Sequence, residues 1–275
     1  MTKKPKTPQT TLDEIVQITT ATLRCTIVGA SPLYFNRLSE KAKRDLLAGS
    51  KKKSAQEKAT TLKHEPLDEY RASAHTVLDP AAPTLLAMPS TAFKKAIMTA
   101  ALDVPGATKA KLGRLVWLPG DKVPIYGVPQ LSMAAVRNSD MARTPDIRTR
   151  AVVPAWAAVL TFQVVQPLVT PQYVANLLGV AGITIGVGDW RQEKGSGSNG
   201  QFTIVPEDDP EALAVMAAGG RAAQAAALDT PTFFDTDSEE LYTWLVEERA
   251  SRVRAGSLVA RSKKEARRDA DVRAN

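Results

Sequence analysis

Residues 156–205 read WAAVLTFQVVQPLVTPQYVANLLGVAGITIGVGDWRQEKGSGSNGQFTIV, and this stretch decides the fold. Its first part alternates: Trp156, Ala158, Leu160, Phe162 and Val164 fall on one side of an extended chain, the period-two pattern of a half-buried strand. Thr170 followed by Pro171 is an N-cap with proline at the first helical position. Val174, Leu177, Leu178 and Ala181 then supply the apolar stripe of a helix. Gly182 is placed to end that helix in the left-handed conformation; Ile183 to Val187 reads as one strand and Gln201 to Val205 as another.

Between those strands lies Gly186-Val-Gly-Asp-Trp-Arg-Gln-Glu-Lys-Gly-Ser-Gly-Ser-Asn-Gly200. Five glycines, Gly186, Gly188, Gly195, Gly197 and Gly200, permit positive φ and let backbone amides approach a ligand. Arg191 and Lys194 supply charge suited to phosphate, and Trp190 a face on which a base can stack. The segment lacks the Gly-Lys-Ser/Thr ending of a Walker loop, and it precedes a strand rather than opening a helix, so it is not a dinucleotide fingerprint either. A merely flexible hairpin is the plain alternative.

Working outward, Leu23, Cys25 and Ile27 alternate with Thr22, Arg24 and Thr26, which predicts a strand over Thr20 to Val28. Ser39 is placed to cap a helix reaching Leu46 and Leu47, and residues 48–70 read as an exposed, basic loop. Arg37, Lys41, Lys43, Arg44, Lys51, Lys52 and Lys53 make this region strongly cationic; a solvated linker is the alternative. A short strand is predicted over Thr84 to Met88, then a helix capped by Ser90 with Phe93, Ala96, Ile97, Ala100 and Ala101 on one face and Lys94 and Lys95 on the other. Arg114 to Leu118 and Lys122 to Tyr126, flanking Pro119-Gly-Asp121, read as a β-hairpin, and residues 130–150 as a loop bearing Arg137, Arg143, Arg148 and Arg150.

Stripped of insertions at about 41–83 and 130–150, the order is βαββαβ, which predicts an α+β, ferredoxin-like (RNA-recognition-motif-like) core over residues 20–205. Such a sheet covers one face with two helices and leaves the other available to nucleic acid. Residues 1–19 read as a flexible arm, and 206–275 as a helical or partly disordered extension, acidic then basic.

The chain has 275 residues, 44% apolar and 24% charged, enough to bury a sizeable core and to exclude wholesale disorder. Its net charge of +7 is uneven: 26 Lys/Arg against 15 Asp/Glu in residues 1–205, 1 against 11 in 206–248, and 9 against 3 in 249–275. A basic body beside an acidic strap suggests a polyanion-binding protein with its own electrostatic modulator. The single cysteine, Cys25, and the two histidines, His64 and His75, argue against a disulfide framework or a metal centre, and no cofactor is expected. Residues 151–188 carry no charge, yet Pro154, Pro167 and Pro171 break them, so no membrane-spanning run of about 18 apolar residues forms. The basic start has no apolar segment of a signal peptide behind it, and the expected location is the cytoplasm.

The glycine loop after the last helix of such a core, with the opening strand Leu23 to Gly29 and the long insertions, resembles the CRISPR-associated RAMP superfamily, whose backbone subunits polymerise along guide RNA. More closely, Ser31-Pro-Leu-Tyr-Phe-Asn-Arg-Leu-Ser-Glu-Lys-Ala-Lys43, Pro89-Ser-Thr-Ala-Phe-Lys-Lys95, Pro154-Ala-Trp156 and Ala181-Gly-Ile-Thr-Ile-Gly-Val-Gly-Asp-Trp-Arg191 resemble an uncharacterised family recurrent in phage genomes. The likeness covers roughly residues 20–205 and implies a homo-oligomeric or filamentous binder of single-stranded RNA or DNA. No residue matches the catalytic histidine of the superfamily's guide-processing nucleases.

His64 and His75 read as surface histidines, Cys25 as a core residue, and no catalytic constellation is expected. The candidate nucleic-acid contacts are therefore Arg37, Lys41, Lys43, Arg44, Lys51, Lys52, Lys53, Arg148, Arg150, Gly186, Gly188, Trp190, Arg191, Lys194 and Gly195. Two alternatives stay open. One is metal-assisted RNA cleavage by Asp140 or Asp146; the other is a structural or interaction protein whose partner docks on the acidic segment near Leu241, Trp244 and Leu245.

Overall fold

The computed structural model describes residues 17–39, 43, 46–48, 62–137, 144–194 and 197–254. Its centre is a four-stranded antiparallel sheet built on β1 (Thr19–Gly29) and β8 (Ala157–Gln166), paired from Thr19 opposite Gln166 to Val28 opposite Ala157. β4 (Val116–Trp117) extends this pair beyond β8, and β9 (Phe202–Val205) extends it beyond β1, giving the order β4-β8-β1-β9. The alternation read from the sequence is realised: Cys25, Ile27, Leu160, Phe162 and Val164 are all buried. Burial also pushes the Cys25 thiol pKa up, so it is an inert core group.

One face of the sheet is covered by α2 (Ser90–Ala100) and α4 (Pro171–Thr184), which pack on each other. Thr170 caps α4 as expected, its hydroxyl accepting from the Tyr173 amide at 3.2 Å. Gly182 does not end that helix. It lies inside α4, where a Cβ would fall 2.1 Å from the Phe202 carbonyl oxygen, so its missing side chain lets α4 lie close against β9. Ile183 and Thr184 finish the helix, and the strand expected over Ile183 to Val187 is absent. Ser90 is likewise no cap: its hydroxyl donates to the Gly120 carbonyl at 2.7 Å, and Pro89 occupies the capping position.

Three further expectations fail because local pattern and composition do not identify a segment's partners. The hairpin over 114–126 is three elements: α3 (Lys109–Leu115), β4 paired with β8, and β5 (Lys122–Pro124) paired with β3 (Ala87–Pro89). The arginine loop over 130–150 is mostly sheet. β6 (Gln130–Arg137) pairs with β7 (Pro145–Val153) from Gln130 opposite Val152 to Arg137 opposite Pro145, and β2 (Leu33–Tyr34) completes a second sheet in the order β2-β7-β6. The predicted loop over 48–70 also ends early, at α1 (Pro66–Ser73), which packs on β7. Lys43 and residues 46–48 are helical, in line with the helix expected after Ser39.

Residues 206–254 form α5 (Pro210–Ala218), α6 (Arg221–Asp229) and α7 (Thr236–Arg254). The first two of these helices are not a separable strap. Gln224 is fully buried: its carbonyl oxygen accepts from the Leu85 and Leu86 amides at 2.8 Å, and its amide nitrogen donates to the carbonyls of Ile125, Gly127 and Gly219. Tyr70 donates to the Ala227 carbonyl and Arg71 to those of Leu228 and Asp229. α5 covers one end of the second face of the main sheet through Val28, Ala157 and Ala212, while Thr20, Thr22, Arg24 and Thr161 on the rest of that face are exposed. Among the described residues no helix is long and apolar enough to cross a membrane.

Candidate anion-binding cleft beside the glycine loop

The glycine loop folds back on itself and on β2. The amides of Val187, Asp189, Asn199 and Gly200 donate to the carbonyls of Gly200, Tyr34, Trp190 and Pro32, and those of Gly186, Glu193 and Lys194 are likewise bonded within the chain. Close approach explains the glycines. A Cβ on Gly200, at φ +69°, would lie 1.7 Å from the Val187 carbonyl oxygen, and one on Gly188, at φ +84°, would lie 2.6 Å from that of Tyr34. The residue types thus serve the loop's own hydrogen bonds; the expectation that its amides would cradle a phosphate is not met at these positions.

Trp190 anchors the loop. It is a non-glycine residue at φ 51°, a conformation that costs about 1–3 kcal/mol and needs compensation. The Tyr34 ring lies 5.0 Å from its centroid, and the Arg150 guanidinium sits 4.5 Å over it. Arg150 is only 4% exposed and pairs with Asp189 at 2.7 Å. Burial lowers the Arg150 pKa, Asp189 works against that shift, and its Nη1 has no hydrogen-bond partner among the described residues. Expected to meet phosphate and base, Arg150 and Trp190 instead meet each other.

A cleft of about 610 Å³ opens between this loop, one face of α2, the start of α3 and the segments bearing Asn36 and His75. Its rim carries Lys95, Lys109 and Lys194, all exposed. Among the described residues none of the three has a carboxylate within salt-bridge distance. The two carboxylates of the wall are committed elsewhere, Asp189 to Arg150 and Glu193 to Arg191 at 2.6 Å. On the other side His75 is held below its ordinary pKa, first by burial and then by the charges of Arg37, Lys122 and Lys43. The cleft is therefore a place where positive charge is left unanswered, suited to a multiply charged anion.

Of the residues expected from sequence, Lys194 lines the cleft, and Arg37 and Lys43 stand behind His75. Arg191 also lines it but is engaged by Glu193 and the Gly188 carbonyl. Arg148 is exposed on β7 and does not line the cleft. Lys41, Arg44, Lys51, Lys52, Lys53 and Gly195 lie outside the described residues, as does Asp140. Lys109 and His75 are not among the contacts expected from sequence, which shows Lys95 only as the polar side of its helix; nothing in local sequence brings these three together.

His64 is not a free surface histidine. Its Nδ1 lies 3.0 Å from Glu69 and its Nε2 3.1 Å from Asp146, which also pairs with Lys63 and accepts from the Ile147 amide. Burial would raise the Asp146 pKa, but the hydrogen bond and charge of Lys63, together with His64, take it below its usual value. This carboxylate ties the segment before α1 to β7, and among the described residues no group of three His, Cys, Asp or Glu is placed to hold a metal ion. No protein-family model matches the chain, and no curated protein matches it.

Proposed function

We propose that this protein binds single-stranded nucleic acid, RNA or DNA, by its phosphates, with little sequence preference and without catalysing a reaction on it. The observation that carries the reading is the set of Lys95, Lys109 and Lys194 around one cleft, with no carboxylate to answer them among the described residues. A phosphodiester strand supplies that charge repeatedly, and counterion release supplies the driving force. The strand order β4-β8-β1-β9, with α2 and α4 on one face, supports a ferredoxin-like core, and the glycine loop between α4 and β9 supports the likeness to RAMP backbone subunits. A cytoplasmic homo-oligomer or filament along the strand belongs to the same proposal.

Fluorescence anisotropy with labelled U15 and dT15 tests it. Log K should fall with log salt at a slope of about −0.7 for each phosphate contacted. Salt-independent binding, or none at low salt, ends the reading. A second reading, partner docking, rests on α7, where Trp244 is 60% and Val246 49% exposed. Pull-down with wild type and Trp244→Ala in nuclease-treated extract, with the partner then shown to bind as a purified protein, separates it from nucleic-acid binding.

A further inference from the structure

The cleft is graded in depth. Met88, Ala96, Ile185 and Val187 are buried in its floor, whereas the three lysines stand exposed at its rim. Phosphate binding alone has no use for an apolar floor, and about 610 Å³ is far more room than a phosphate needs. It falls in the range of small-molecule sites. Half-buried between floor and rim are the Thr99 hydroxyl and the His75 imidazole, and the Asn36 amide and Thr91 hydroxyl stand exposed with the lysines; all four groups both donate and accept. Met98 adds a polarizable thioether, which makes favourable contacts with aromatic rings.

We propose that the cleft takes one whole nucleotide, its base seated on the Met88–Met98 side of the floor and its phosphate at Lys95, Lys109 and Lys194. Resting on the nucleic-acid reading above, this assigns the cleft one base of the bound strand, turned out of its stack and buried. The polar groups between floor and rim meet the base edge and the sugar. Lys194 arrives from the glycine loop and Lys95 from α2, so the nucleotide bridges the two walls. A free mononucleotide offers the same chemistry, and the experiment distinguishes that source from a strand.

The test uses the full chain and four probes: uridine 5′-monophosphate, ribose 5-phosphate, inorganic phosphate and labelled U15. The first three are titrated by calorimetry and as competitors of U15. Uridine monophosphate is expected to bind at least tenfold more tightly than ribose 5-phosphate or phosphate and to displace U15. Thr99→Trp, which fills the cleft from α2, should lose at least tenfold in affinity for the mononucleotide while melting like wild type. If U15 binds but the base adds nothing over ribose 5-phosphate, the cleft is a phosphate site only, and this inference falls while nucleic-acid binding stands. If uridine monophosphate binds with the base-dependent gain but U15 does not, the occupant is a free nucleotide: the cleft assignment survives, and strand binding falls. Binding of neither ends both. A Thr99→Trp protein that melts normally and binds the mononucleotide unchanged places that nucleotide elsewhere and also overturns the inference.

Discussion

Two sets of cations lie on opposite sides of the glycine loop, and their fates differ. Arg150, behind the loop, is buried, paired with Asp189 and pressed against Trp190. Lys95, Lys109 and Lys194, in front of it, are exposed and without a carboxylate partner among the described residues. Withdrawing the buried guanidinium leaves Asp189, whose side chain is 27% exposed, without its partner and opens a void against Trp190, whereas withdrawing an exposed ammonium leaves only water. Burial and pairing, more than residue type, therefore separate the cations that hold the loop from those available to a ligand.

The largest effect expected on that comparison is Arg150→Ala, which should cost about 3–5 kcal/mol by urea unfolding because Asp189 loses its partner and Trp190 its cover. If the variant unfolds like wild type, the loop does not depend on its buried side. Gly200→Ala should follow at about 2–4 kcal/mol, since a side chain there meets the Val187 carbonyl at a positive φ. In contrast, Lys95→Glu, Lys109→Glu and Lys194→Glu combined should leave unfolding within about 0.5 kcal/mol of wild type. The same variant should lose roughly ten- to a hundredfold in U15 affinity and about 0.7 from the salt slope, the share of one phosphate. A stability loss comparable to that of Arg150→Ala would erase the distinction between the two sets.

A smaller effect is expected from pH. His75 is depressed in the fold relative to the ordinary 6.5, so below 6.5 the unfolded chain takes up more protons than the folded one. Stability should therefore fall as pH drops through the folded-state value, and His75→Gln should flatten that part of the profile. An unchanged profile would mean that neither burial nor the cations around His75 shift its titration. Smallest of all is Arg24→Ala, which removes the ion pair with Glu207 at 3.0 Å, both side chains more than 60% exposed. It should change unfolding by under about 0.5 kcal/mol, setting the baseline for an exposed pair.

Much of the main sheet was legible because its signals are local. The alternation in Thr19–Gly29 and Ala157–Gln166, and the Thr170-Pro171 start of α4, each need only a few neighbouring residues to be read. The errors came where a residue's role depends on distant chain. Gly182 resembles a helix stop until Phe202 is placed beside it, and Arg148 and Arg150 resemble a loop pair until β7 sets them on one face, the first exposed towards the start of the strand and the second covered by Trp190 and paired with Asp189. The acidic segment looks like a strap because its charge is visible in sequence, whereas Gln224, which helps bind it to the body, is one uncharged residue among alanines.

Contiguous residues are enough to specify the mixed α+β class, the central strands and their buried faces, and the presence of a tight, glycine-dependent loop after α4. Those follow from periodicity and from backbone freedom, which are properties of contiguous residues. Tertiary structure decided which cations are free. Lys95, Lys109 and Lys194 are separated by 14 and 85 positions and meet only when α2, α3 and the glycine loop are packed around one cleft. Arg150 is removed from that set by Asp189 and Trp190, whose approach depends on β7 lying behind the loop. Electrostatic availability is a relation between side chains in space, and so it emerged only with the fold.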